Sequence, residues 1–215
     1  MNQHTKMLQI DVHSYWHIGT GHGNGPSLDA VVAKSSGLPF WPGKSLKGVF
    51  RDAFYQASTI QHLPHTQQHL YDLFGYSVNN TMENPEQDGP QVRFQSHRGQ
   101  LQFSSAYLER GEAYQSLKKA LDDTNTDLKR FFFTELSQVA LEEDGTAKEG
   151  ALRSIEVAKP VRLYAEVSYQ GDNPKDAFGL LEKSFPLIRI MGAHRIRGLG
   201  RITVSFTPEN KDGER

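Results

Sequence analysis

Segments with strand patterns and segments with helix patterns alternate along this chain in an order that restricts the fold. Apolar residues that alternate with polar ones predict core strands at Met7–Ile18, Gln100–Tyr107, Ile155–Tyr169 and Arg201–Phe206. Apolar residues at helical spacing predict core helices at Ser45–Ala57 and from Lys175 to about Phe185. The core elements therefore run strand, helix, strand, and then again strand, helix, strand.

That order fits a ferredoxin-like α+β fold in a single domain that spans residues 1–206. The chain carries an insertion at about 55–93, between the predicted helix at Ser45–Ala57 and the predicted strand at Gln100–Tyr107. A hairpin with little apolar content is predicted at about 134–154, around the turn residues Asp144-Gly145, and we expect it to project from the domain. The polar residues 207–215 are expected to form a disordered tail.

The net charge is −1 at pH 7, yet two segments of the chain carry basic residues and contain no carboxylate. We call Gly37–Arg51 the first basic segment and Gly192–Arg201 the second basic segment. The carboxylates gather elsewhere, so the near-neutral total is compatible with two local cationic surfaces. Such surfaces are typical of proteins that bind the phosphates of nucleic acids.

Composition excludes several other classes of protein. A hydrophobic fraction of 37% and a charged fraction of 23% indicate a globular chain rather than a disordered one. The absence of cysteine excludes disulfides and thiolate metal sites, and favours a cytoplasmic location. No apolar run approaches the roughly 20 residues of a membrane span, so we expect no membrane partner.

Two glycine-containing stretches approach nucleotide-binding motifs without completing them. The stretch Gly19–Gly25 lacks the third glycine of a G-x-G-x-x-G motif, because Asn24 occupies that position. Gly43-Lys44-Ser45 supplies the second half of a phosphate-binding P-loop, but Leu38 occupies the position of its first glycine. The feature that remains is the N-terminus of a predicted helix beside lysines. Such a helix start favours the binding of phosphate, whether of a nucleotide or of an RNA backbone.

The second basic segment combines glycines, which permit close approach of the backbone, with arginines, whose planar heads suit phosphate. Taken alone, it is also compatible with a charged turn before an edge strand. Histidines do not change this interpretation: His65 and His69 are four residues apart, but the sequence offers no third metal ligand. We therefore predict no metal site from the histidines.

Four stretches, in their order along the chain, resemble the RAMP superfamily, and specifically the repeated backbone subunit of type III CRISPR effector complexes. They are the loop at His17–Gly21, the helix entry in the first basic segment, the hairpin that runs from Thr134 to Glu156 and the glycine-rich second basic segment. Lys44 stands where serine is commoner in the family. Together the stretches span most of the chain, and their order is more specific than any one of them.

The resemblance implies an RNA-recognition-like core, whose copies stack as a filament along a CRISPR guide RNA in an antiviral ribonucleoprotein. The implied partners are the guide RNA, the target RNA, further copies of the chain and other effector subunits. The hairpin then corresponds to a thumb, which displaces bases at regular intervals.

In catalytic members of the family, an aspartate before the helix entry supports metal-dependent cleavage of the target RNA, and Asp29 matches that position. The resemblance thus implies an endonuclease that uses Mg²⁺ or another divalent cation. Because the residues around Asp29 match only loosely and some members are purely structural, the sequence leaves cleavage open.

The resemblance also assigns residues to the RNA interface. The expected RNA contacts are basic or polar side chains within the four motifs: His17, Lys44, Ser45, Lys47, Arg51, Arg153, Arg195, Arg197 and Arg201. The glycines expected to let the backbone approach RNA are Gly19, Gly21, Gly43, Gly192, Gly198 and Gly200.

Two alternatives stay open at the level of sequence. A stand-alone guide-processing ribonuclease of the same superfamily would need a general acid/base such as His17 or His22. The predicted projecting hairpin argues against it, because a self-sufficient nuclease has no evident use for a thumb. A P-loop-like module would bind ATP through Lys44.

Overall fold

The computed structural model describes residues 3–20, 30–60, 66–77, 96–109, 111–123, 127–139, 142–146, 148 and 152–208. The strands there are β1 (Gln3–Val12), β2 (Lys34–Ser35), β3 (Leu38–Pro39), β4 (Gly75–Ser77), β5 (Ser96–Arg98), β6 (Leu101–Phe103), β7 (Phe133–Gln138), β8 (Arg153–Ala158), β9 (Arg162–Gln170) and β10 (Ile202–Phe206). The helices are α1 (Gly43–Ile60), α2 (Thr66–Phe74), α3 (Gly111–Asp123), α4 (Asp127–Phe132) and α5 (Pro174–Glu182), with short 3-10 turns at Phe185–Leu187 and Arg195–Arg197.

A four-stranded antiparallel sheet in the order β10-β1-β9-β6 forms the base of the fold. Alternate residues of the two central strands are buried, as the sequence pattern predicts, because only one face of the sheet is covered. Helices α1 and α5 cover that face: Phe50 of α1 packs on Phe103, and Phe178 of α5 packs on Tyr169 and Phe206. The mixed helix and strand composition predicted from sequence is therefore confirmed.

The prediction of one continuous strand at Ile155–Tyr169 is wrong. Strand β8 ends at Ala158 and β9 begins at Arg162, with Pro160 in the break. Proline lacks a backbone N–H and interrupts a ladder of hydrogen bonds, which separates the two strands. Strand β9 enters the sheet, whereas β8 pairs with β7 in a hairpin outside it.

The prediction of a strand at Met7–Ile18 is also too long. Strand β1 ends at Val12, and the chain beyond it leaves the sheet to form isolated bridges, from Trp16 to Ala158 and from Gly19 to Val32. Burial of Trp16 between these segments, with its indole N–H donating to Lys159 O at 2.9 Å, explains why the apolar pattern continues past the strand.

The β7–β8 hairpin pairs Phe133 with Ala158 at its base and Gln138 with Arg153 at its outer end. Beyond the strands, Gly145 has a φ of +83° and its N–H donates to Glu142 O at 3.0 Å, as expected of a turn at this position.

Other predicted regions are described only in part. The region 55–93 includes the end of α1, then α2 and β4, and residues 78–95 lie outside the described residues. Of the predicted tail, Thr207 donates its N–H to Met7 O at 2.9 Å, and the residues from 209 onward lie outside the described part. None of the helices in the described ranges is both long and apolar enough to cross a membrane.

Candidate nucleic-acid interface

One end of the sheet brings together most of the motifs found in the sequence. At this end β1 stops and β10 begins, with Val12 paired to Ile202, and β9 begins at Arg162 opposite Asp11. The chain leaving β6 lies there too, because Tyr107 bridges to Tyr164 near the start of β9. Since neighbouring strands are antiparallel, the segments after β1 and β6 and those before β9 and β10 all meet at this end. We call it the loop end of the sheet.

The first basic segment reaches the loop end beside the edge strand β6. Trp41 and Ala106 exchange backbone hydrogen bonds of 2.9 and 2.8 Å, and the N–H of Gly43 donates to the Ser105 hydroxyl at 3.1 Å. A Cβ atom at Gly43 would overlap the carbonyl oxygen of Phe103, so only glycine fits at this helix start. Because the Gly43 N–H already has an acceptor, it is not available to cradle a phosphate as a P-loop would require.

The predicted RNA contacts on α1 fall into two groups. Lys44 and Ser45 are exposed at the helix N-terminus, at the loop end. Lys47 instead donates to Leu101 O at 3.0 Å along the edge of β6. Burial lowers the pKa of Lys47, and the nearby positive charges of Arg98 and Arg51 lower it further. The helix thus presents Lys44 and Ser45 at the loop end and directs Lys47 against the sheet edge.

The second basic segment lies at the opposite edge of the sheet, before β10. Adjacent strands are about 4.8 Å apart, so the outer strands of a four-stranded sheet are separated by roughly 14 Å. The two basic segments therefore lie at the same end of the sheet, at its opposite edges. A single-stranded nucleic acid that follows this end would cross both of them.

Close backbone contacts fix the second basic segment to the chain that follows β1. Gly200 donates its N–H to Tyr15 O at 2.7 Å, and its own carbonyl accepts from Met191 N–H at 2.8 Å. Gly192 and Gly200 have φ angles of +74° and +76°, and a Cβ atom would overlap a backbone carbonyl oxygen, that of His17 and of Met191 respectively. Both positions therefore require glycine for conformation and for space.

Between these glycines, the 3-10 turn Arg195–Arg197 carries its side chains outward. The turn is flanked by two left-handed residues, His194 with φ +57° and Gly198 with φ +79°. Arg195 donates to Gly192 O at 2.8 Å, and Arg197 contacts the side-chain amide of Gln138 on the hairpin. Both arginines and Arg201 are exposed, and within the described ranges none of the three forms an ion pair. Their charges face solvent at the loop end.

His17 is buried below this turn. Its Nδ1 lies 2.7 Å from Glu156 O and therefore donates, since a carbonyl oxygen only accepts. Its ring meets that of His194 edge-on, with centroids 5.8 Å apart. Burial lowers the pKa of His194, and the neighbouring His17 and Arg197 lower it further. His17 thus supports the second basic segment from below, and its direct contact with RNA stays a prediction.

A model of the RAMP superfamily matches residues 9–203. The chain belongs to the RAMP superfamily. The matched range contains both basic segments and the hairpin, so the stretches on which the sequence resemblance rests all lie inside it. No curated protein matches the chain.

Two solved structures share the fold of this RAMP protein. A chain of Type III-B Cmr-beta bound to cognate target RNA is similar with a TM-score of 0.61 and 12% identity, over 94% of this chain and 97% of that chain. A chain of Type III-B Cmr-beta in the apo state is similar with a TM-score of 0.62 and 11% identity, over 95% of this chain and 98% of that chain. At such low identity the likeness concerns the fold alone.

Glu156 is a residue of the RAMP domain that sequence reasoning missed as a site residue. Its carboxylate accepts the Val32 N–H at 3.1 Å and the Lys34 ammonium at 2.6 Å, and its own N–H donates to Ala30 O at 3.0 Å. Strand β8 thereby holds the segment from Ala30 to Lys34 at the base of the hairpin. No local signal reveals this role, because the residues concerned are more than 120 positions apart in the chain.

Asp29 and Gly21 lie outside the described residues, as do His22 and His65. The described residue after Asp29 is Ala30, which forms a parallel bridge with Ile155 of the hairpin. Across the described ranges, no group of three histidine, aspartate or glutamate side chains could hold a metal ion.

The remaining predicted residues lie beside these elements. Arg153 is exposed at the outer end of the hairpin ladder, opposite Gln138. Gly19 is exposed and bridges to Val32. An added Cβ at Gly198 would meet no atom within 4 Å, so only its φ angle favours glycine there.

Proposed function

We propose that this RAMP protein is an RNA-binding backbone subunit of a type III CRISPR effector ribonucleoprotein. The observation that carries the proposal is the second basic segment. Close backbone contacts fix it at the loop end of the sheet, and three arginines without ion pairs in the described ranges point outward from it. A fixed backbone with planar, exposed cations is suited to the phosphates of a polynucleotide. We place the protein in the cytoplasm, in keeping with its lack of cysteine.

The core of the proposed subunit is ferredoxin-like. Strand order β10-β1-β9-β6, with α1 between β1 and β6 and α5 between β9 and β10, corresponds to the order 4-1-3-2 of two strand-helix-strand halves. The β7–β8 hairpin interrupts this order between β6 and β9 and takes the place of a thumb. The likeness to chains of Type III-B Cmr-beta, one of them bound to cognate target RNA, supports this assignment.

In this proposal the guide RNA runs across the loop end, from Lys44 and Ser45 at one edge to the arginines of the second basic segment at the other. Lys47 and Arg51 lie further along α1 and would contact RNA at the edge of the sheet. Further copies of the chain, other effector subunits and the target RNA complete the set of proposed partners. The copies stack along the guide, so that each hairpin reaches the next copy.

Cleavage of the target RNA is the part of the proposal that depends on Asp29. RNA carries its own nucleophile, the 2′-hydroxyl, so the protein has to hold the linkage in line and accept or orient a proton. Asp29 immediately precedes the segment that Glu156 holds at the base of the hairpin. We propose that its carboxylate orients the 2′-hydroxyl.

The test is to co-express the chain with a CRISPR transcript, purify it and analyse the bound RNA and the particle mass. We expect RNA of uniform length, and a mass equal to several copies of the chain that falls to that of one copy after ribonuclease treatment. A monomer without RNA would contradict the proposal. Single-turnover cleavage of repeat RNA by such a monomer, without divalent metal, would establish the stand-alone ribonuclease instead.

A further inference from the structure

The outer edge of strand β10 is only partly covered. Met191 N–H donates to Gly200 O and Ile202 N–H donates to Arg189 O, so the chain before the second basic segment pairs with the start of the strand. Ahead of Arg189 this chain turns away into the 3-10 turn Phe185–Leu187. Among the described strands, β10 pairs with β1 alone. Beyond Ile202, the outer edge of β10 therefore has no strand beside it in the described part of the chain.

The backbone of Val204 faces this free edge. His13 N–H donates to Arg201 O at 2.8 Å, which directs Arg201 towards the end of β1. Ile202 N–H donates the opposite way, to Arg189 O at 2.8 Å. Because successive residues of an antiparallel strand bond to opposite sides, Val204 directs both its N–H and its C=O outward, as Ile202 does. An outward-facing pair of this kind is a template for an added strand.

A groove of about 700 Å³ runs along the same edge, and we call it the β10 groove. Its apolar lining comes from the turn, through Phe185 and Ile188, and from the strand, through Ile202 and Val204. Ile188 and Ile202 are buried and Val204 is partly buried, so the groove has an apolar floor. An apolar groove beside an unpaired strand suits an extended polypeptide, whose backbone pairs with the edge and whose alternate side chains enter the groove.

The charges at the β10 groove indicate what kind of polypeptide it takes. Arg189 and Arg201 line the groove, and both are exposed. Neither forms an ion pair within the described ranges, and the chain has no carboxylate from Pro186 to Phe206. The Nε of Arg189 donates to Pro186 O at 2.9 Å, which holds this side chain at the groove. A segment that carries carboxylates beside apolar side chains is therefore complementary to the groove.

Strand geometry assigns these two kinds of side chain to opposite faces of the added segment. The residue opposite Val204 has its side chain on the same face as Val204, so it enters the apolar groove. The residues on either side of it lie on the face of Thr203 and Arg201, where the Thr203 hydroxyl is 2.8 Å from His13 Nε2. The pattern that fits is thus acidic, apolar, acidic.

We propose that the free edge of β10 and the β10 groove bind an extended segment of a partner protein in which acidic and apolar residues alternate. The segment adds to the four-stranded sheet next to β10, accepts a hydrogen bond from Val204 N–H and donates one to Val204 C=O. This docking site lies beyond the proposed function and does not depend on RNA binding.

The test is to titrate the full chain into a fluorescein-labelled peptide in which isoleucine alternates with glutamate, and to follow fluorescence anisotropy. We expect saturable binding. N-methylation of the isoleucines removes the backbone donors that pair with β10 and should weaken binding about tenfold. A peptide with lysine in place of glutamate should not bind, because it brings cations to Arg189 and Arg201.

Proline at Val204 is the sharpest change on the protein side. V204P removes the outward N–H and leaves the hydrogen bonds to β1, which the neighbouring residues make. It should abolish peptide binding, whereas V204A keeps the N–H and should bind within about threefold of the wild type. Circular dichroism establishes that each variant is folded.

The charge of Arg189 is tested separately from the strand edge. R189E should weaken binding of the glutamate peptide about fivefold, and R189K should retain it. K175E changes an exposed cation at the start of α5 and should behave as the wild type. Equal affinities of R189E and the wild type would overturn the charge complementarity on which the proposal depends.

Other outcomes would also overturn the proposal. They are a wild-type chain that does not bind the alternating peptide, and equal affinity for the N-methylated and unmodified peptides, which needs no folded V204P. Loss of single-stranded RNA binding in V204P and R189E with unchanged peptide affinity would assign the groove to RNA. Loss of self-association of V204P in sedimentation, again with unchanged peptide affinity, would assign it to a second copy of the chain. A chain that binds the peptide but no RNA would instead contradict the proposed function alone, so the two failures are distinguishable.

Discussion

Replacing Gly200 with alanine tests whether the second basic segment is held as rigidly as its contacts indicate. Gly200 has a φ of +76°, and an added Cβ would overlap the carbonyl oxygen of Met191. That oxygen belongs to the backbone, so it cannot rotate away as the end of a side chain could. We expect G200A to displace the backbone at this position from Met191 and, with it, from Tyr15 in the chain that follows β1.

The expected loss of stability in G200A is the sum of three terms. A residue with a Cβ in the left-handed conformation costs about 1 kcal/mol. Displacement of Gly200 also weakens the hydrogen bond from its N–H to Tyr15 O and the one from Met191 N–H to its carbonyl, each worth about 1 kcal/mol. The free energy of unfolding should therefore fall by about 3 kcal/mol.

Gly198 provides a matched control in the same segment. Its φ of +79° is nearly that of Gly200, but an added Cβ meets no atom within 4 Å. G198A should therefore cost only the conformational term, about 1 kcal/mol. Comparison of the two variants separates loss of backbone contact from strain at a positive φ.

The assay is urea denaturation followed by circular dichroism, with thermal melting as a second measurement. In a chain of this length, 1 kcal/mol corresponds to about 2–4 °C in Tm, so we expect a decrease of about 6–12 °C for G200A and about 2–4 °C for G198A. RNA affinity at 25 °C should fall further in G200A than in G198A. Equal losses of stability in the two variants would refute the reasoning.

Three further predictions concern the base of the hairpin, a histidine and the proposed cleavage. E156A should lower the free energy of unfolding by about 1–3 kcal/mol in urea denaturation, because the Val32 N–H and the Lys34 ammonium lose their acceptor. E156Q keeps an acceptor oxygen and should lose less stability, and equal losses in the two variants would contradict this prediction. Because burial lowers the pKa of His194 below about 6.5, its contribution to stability is complete above pH 6.5 and is lost as the pH falls towards the folded-state pKa. H194Q should flatten this part of the curve of unfolding free energy against pH. An unchanged curve would contradict the prediction. D29A should abolish target cleavage in a gel assay while guide RNA stays bound, and loss of both would indicate a structural role.

Local patterns predict the helices and the order of the core well. The spacing of Leu46, Phe50 and Phe54 predicts α1, and the structure buries all three. The apolar alternation around Leu163 likewise predicts β9, where that residue is fully buried. These features depend on neighbours in sequence, which is why periodicity reveals them.

The partners of each element depend on distant residues, and the sequence does not reveal them. The alternating apolar pattern continues on both sides of Pro160 and therefore predicts a single strand. The proline itself is the local sign of the boundary between hairpin and sheet, because proline interrupts strand pairing. The motif around His17 does not reveal that this residue is buried under His194, because that burial depends on the distant second basic segment, which packs over it. The role of Glu156 likewise arises from pairing across more than 120 residues.

The salt dependence of RNA binding by R195A/R197A tests the central claim most directly. Each phosphate contact to a single strand contributes about 0.7 to the slope of log K against log salt, so loss of two contacts should reduce the slope by about 1.4 and weaken binding alike across RNA sequences. K175A/K183A removes two exposed charges from α5 and its C-terminal end and should leave the slope unchanged. An R195A/R197A protein with wild-type affinity and slope would contradict the account.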